Sequence, residues 1–110
     1  MNKEEILIFK AALVSSIEAH LQNGGVMSES RFVYNNERCP IACLAHEEKK
    51  IGNHKLYYQA VSAKLGFEVS MDEMYCFMDG FDAIKNHNIG TELYEFGQEL
   101  RRKYLKGLGC

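Results

Sequence analysis

The residues best equipped for chemistry in this chain are gathered in RCPIACLAH, Arg38 to His46, where Cys39, Cys43 and His46 stand at C-x3-C-x2-H spacing. A proline follows the first thiol directly. On a helix, positions i, i+4 and i+7 fall within about 60° of arc, so the three side chains can share one face. Two chemistries follow. Thiolate and imidazole are zinc ligands, and His54, Cys76 or His87 is available in the sequence as a fourth. Alternatively, Cys39 at a helix start meets free backbone N–H groups and the positive end of the helix dipole, which favour a reactive thiolate. Against both stands a structural reading. Structural zinc sites usually pair two knuckles, and this chain has no second C-x-x-C or H-x-x-x-H. Ile41, Ala42 and Leu44 surround Cys43 with apolar side chains, which suits a core thiol.

The segment also resembles the C-x3-C-x2-C cluster loop of radical SAM enzymes. Its third position is His46, and 110 residues cannot hold their barrel, so no role is carried over. A Cys–His nucleophile is equally unsupported, because neither a nucleophile elbow nor a glycine-rich oxyanion turn accompanies Cys39. No catalytic residue, metal or cofactor is assigned.

MDEMYCFMDGFD, Met71 to Asp82, combines methionines with aromatics, a mixture that forms either core or an adaptable binding groove. Asp79 and Asp82 lack the spacing and terminal Glu of a calcium loop. Cys76 falls beside Asp72 and Asp79, whose charges disfavour a thiolate. His20 lies on an apolar helix face and reads as a hydrogen-bonded core or interface residue. Arg101, Arg102 and Lys103 suit phosphate, but they equally suit the negative end of their own helix.

These residues need elements to position them, and the periodicity predicts five helices. The first runs from about Asn2 to Asn23 and stops at Gly24-Gly25. Its stripe is Ile6, Phe9, Leu13, Ile17 and His20, with Leu7 and Ile8 on the flanks. So wide an apolar arc calls for more than one neighbour or for a subunit interface. Phe32 to Tyr34 has strand propensity, with Lys50-Ile51 as its nearest pairing candidate. Pro40 opens a short second helix with Cys39 as N-cap, ending near Ala45. Asn53 caps a third, His54 to Leu65, which Gly66 and Phe67 end in a Schellman motif. Ser70 and Glu73 form a capping box for a fourth helix, closed by Gly80. Thr91 caps the fifth, which ends at Gly107 and carries Gly97 for close approach of a neighbour.

The fold class expected is mainly α, a compact bundle of about five helices with at most one short β-hairpin or strand near residues 30–35. At 110 residues, 46% hydrophobic and 25% charged, residues 1–110 are expected to form a single globular domain. A net charge of −2 with mixed signs gives no pull toward nucleic acid or anionic membrane. Glu4, Glu5 and Lys10 break the pattern of an export signal, and no stretch approaches the ~20 apolar residues of a membrane span. The expectation is a small cytoplasmic protein, non-enzymatic, acting through protein–protein contacts that include self-association as a homodimer. Leu7, Ile8, Phe9, Met74, Met78 and Phe81 are its candidate contact residues. The alternative is a thiol- or metal-dependent protein centred on Cys39, Cys43 and His46.

Overall fold

The computed structural model describes residues 1–27, 33–34, 37–45, 54–85 and 91–105. They are mainly helical: α1 (Lys3–Gln22), α2 (Pro40–Ala45), α3 (His54–Leu65), α4 (Met71–Phe81) and α5 (Glu92–Tyr104). Three short strands, β1 (Val26–Met27), β2 (Val33–Tyr34) and β3 (Glu37–Arg38), lie between α1 and α2. The chain divides into two units, Met1–Val69 and Ser70–Cys110.

In the first unit, α1 starts at a capping box. The Asn2 carboxamide oxygen accepts from Glu5 N at 2.8 Å, and Asn2 N donates to Glu5 Oε1 at 3.0 Å. Two of the orphan donors at the helix start are thereby satisfied. At the other end Gly24 takes φ +83°, which only glycine adopts without strain. Gly24 N donates to Leu21 O and Gly25 N to His20 O, the bond pair of a Schellman motif. The α3 ending differs from expectation. Gly66 is left-handed, but the single bond from Gly66 N to Ser62 O is the simpler αL motif.

The β element is larger than the sequence suggested, and its partner is another. β2 pairs antiparallel with β3, Val33 opposite Arg38 and Tyr34 opposite Glu37. β1 joins the other edge of β3 in parallel register. Lys50-Ile51 lies outside the described residues, as do Asn53 and Gly107. The β3 strand delivers the chain directly to Cys39 and α2.

Every residue of α2 is buried, a short helix enclosed on all sides. Phe9, Leu13 and Ile17 line the buried stripe of α1, and Tyr58 and Val61 are buried on α3. Contacts of α1 reach α2, α3 and β1, so its wide apolar arc meets several neighbours within this unit.

In the second unit, α4 and α5 pack on one another. The Ser70–Glu73 capping box forms as the sequence indicates, and Thr91 Oγ1 accepts from Tyr94 N at 3.4 Å. Gly80 does not close α4. It lies inside the helix, where a Cβ would collide with the backbone of Tyr94, while a Cβ on Gly97 would meet Phe77 O and Phe81 N. The two glycines therefore let the helix backbones touch. The chain leaves α4 through Ala83 at φ 60°, with Ala83 N bonded to Gly80 O and Ile84 N to Asp79 O. That is a Schellman exit with alanine where glycine is usual. Two side chains of α5 serve the same exit: Arg101 Nη1 donates to Phe81 O at 2.8 Å, and the Tyr94 hydroxyl donates to Ile84 O at 2.7 Å. The Phe77 ring stacks with Phe81, centroids 6.4 Å apart, and meets the Phe96 ring at a tilt, 5.7 Å away.

Candidate functional site

Cys39 is the N-cap of α2, as its proline neighbour implied, and its sulfur accepts the Ala42 N–H at 3.4 Å. The thiol thus takes the place of the usual hydroxyl cap in a buried setting where a weak acceptor suffices. Cys43, one turn on, sends its N–H to Cys39 O at 3.1 Å. Both thiols are buried. Burial pushes the Cys43 thiol up to about 12, while Arg38 and a backbone hydrogen bond pull weakly the other way. At neutral pH such a group is protonated, whereas nucleophilic attack needs the thiolate. His46, His87 and the side chain of His54 lie outside the described residues. Among the described residues, no three His, Cys, Asp or Glu side chains converge in a way that could hold a metal ion.

Cys76 is half-buried on α4. Burial raises its thiol first, and the charges of Asp79, Asp72 and Glu73 raise it further, the direction its neighbours suggested. The His20 ring lies over Gly25, where a Cβ would overlap it, and Nε2 bonds Val26 O at 3.0 Å. Its role is to close the α1 exit. The basic cluster of α5 is likewise engaged: Arg101 caps α4, and the Lys103 ammonium sits 5.2 Å from the Tyr104 ring centroid.

The six candidate contact residues separate cleanly. Phe9, Met74, Met78 and Phe81 are buried, so they are core and present nothing to a partner. Met74, Phe77, Met78 and Phe81 make the α4 stripe, whereas Met71 at the helix start is exposed. Leu7 and Ile8 are 65% and 44% exposed. The reason is rotational. At 100° per residue Leu7 falls nearly opposite Phe9, whereas Phe9, Leu13 and Ile17 repeat at i+4 on the inner face. Ala11 and Ser15 continue the exposed strip beyond Leu7. Val26, Met71, Tyr75 and Ile84 are further exposed apolar residues that the sequence pattern did not single out.

Comparison of the chain with protein-family models, curated proteins and solved structures returns no match. Among the described residues, no helix is long and apolar enough to cross a membrane.

Proposed function

We propose that this chain works by contact with protein, that the α1 face around Leu7 and Ile8 is the contact surface, and that a second copy of the chain occupies it. The observation that carries the reading is the exposure of two adjacent large aliphatic side chains on a helix whose opposite face is fully used by the core. Burying a leucine or isoleucine side chain is worth about 1.5–3 kcal/mol, so leaving both in water is a standing incentive to associate. Pairing of two copies doubles that gain.

An intracellular setting accords with the thiols of Cys43 and Cys76, which form no disulfide, since disulfides persist mainly in oxidising compartments. Nucleic acid is a poorer fit. The net charge is −2, and Arg101 and Lys103 are occupied within their own unit.

Light scattering coupled to size exclusion tests the proposal. At high micromolar concentration the wild-type chain should run at twice the mass of the L7K/I8K double variant, with equal helix content by circular dichroism. A monomeric wild type overturns the self-association, and equal dimeric masses for both proteins overturn the assignment to the α1 face.

A further inference from the structure

We draw no further inference here: the strongest candidate beyond the α1 face, the exposed side of α4 that carries Met71 and Tyr75 next to Cys76, carries nothing because the structure does not show what covers it.

Discussion

Ala83 carries a positive φ with a side chain that disfavours it. The left-handed region costs an L-residue about 1–2 kcal/mol, and glycine escapes that cost while losing some entropy on folding. Ala83→Gly should therefore raise stability by about 0.5–1 kcal/mol, read as a higher urea midpoint at unchanged slope. Ala63→Gly, on the exposed side of α3, should lower it by about as much, because there the backbone is helical. If both substitutions destabilise equally, the α4 exit does not use this conformation in solution. Cys43 gives a second residue-scale test. Its thiol is held near 12 in the folded chain against an ordinary 9.0, so below pH 9.0 both states keep the proton and the stabilisation is complete. Above that, the unfolded chain releases a proton that the folded chain retains. Stability then falls by up to about 1.4 kcal/mol per pH unit until the folded thiol also ionises. Urea titrations of wild type and Cys43→Ala should show their stability difference shrinking as pH rises from about 9 to 11. A difference independent of pH would mean that the thiol ionises equally in both states. The sequence made the burial of Cys43 legible, since Ile41, Ala42 and Leu44 leave a thiol no polar company. It could not rank the exposure of six apolar contact candidates, because periodicity names a face without naming its neighbours.

At the scale of elements, helix starts were easier to read than helix ends. Cys39-Pro40, Ser70 with Glu73, and Thr91 each declare a start through chemistry confined to one turn. The α1 start uses the same box with asparagine in place of serine. Ends depend on more distant partners. Gly80 looked like a terminator, yet what matters there is Tyr94, on another helix, whose backbone occupies the space a Cβ would need. The true exit falls at Ala83, where no glycine signals it, and is secured by Arg101 and Tyr94 from α5. Likewise β3 escaped notice because Glu37-Arg38 has little strand propensity, and its pairing is imposed by β1 and β2 on either side. The helix contact predicts that Gly80→Ala and Gly97→Ala each cost about 1–3 kcal/mol through forced separation of the backbones. That sign opposes intrinsic propensity, which favours alanine by about 1 kcal/mol in a helix. Denaturant unfolding of the two variants decides it. An alanine that stabilises either position would show that α4 and α5 do not approach so closely.

At the scale of the whole molecule, periodicity identified a mainly helical chain, and the structure adds that no helix among its described residues can span a membrane, but periodicity reports on class and leaves role open. The division into two units makes the expectation of one domain testable. The second unit holds helices of 11 and 13 residues. Isolated helices shorter than about 12–15 residues are marginal in water, and domains near or below about 40 residues usually need disulfides, metals or oligomerisation to fold alone. Cys76 in this unit is a free thiol, so no disulfide at that position strengthens it. The first unit has a broader core, drawn from three helices and a strand. If residues 1–110 form one domain, heating the L7K/I8K variant, which removes the proposed association, should give one calorimetric peak whose van't Hoff enthalpy matches the measured heat. A fragment of residues 70–110 should then show little helical signal alone. Two resolved transitions, or a fragment with the full signal of α4 and α5, would instead make the second unit a domain in its own right, and the α4–α5 glycine contact would be enough to hold it.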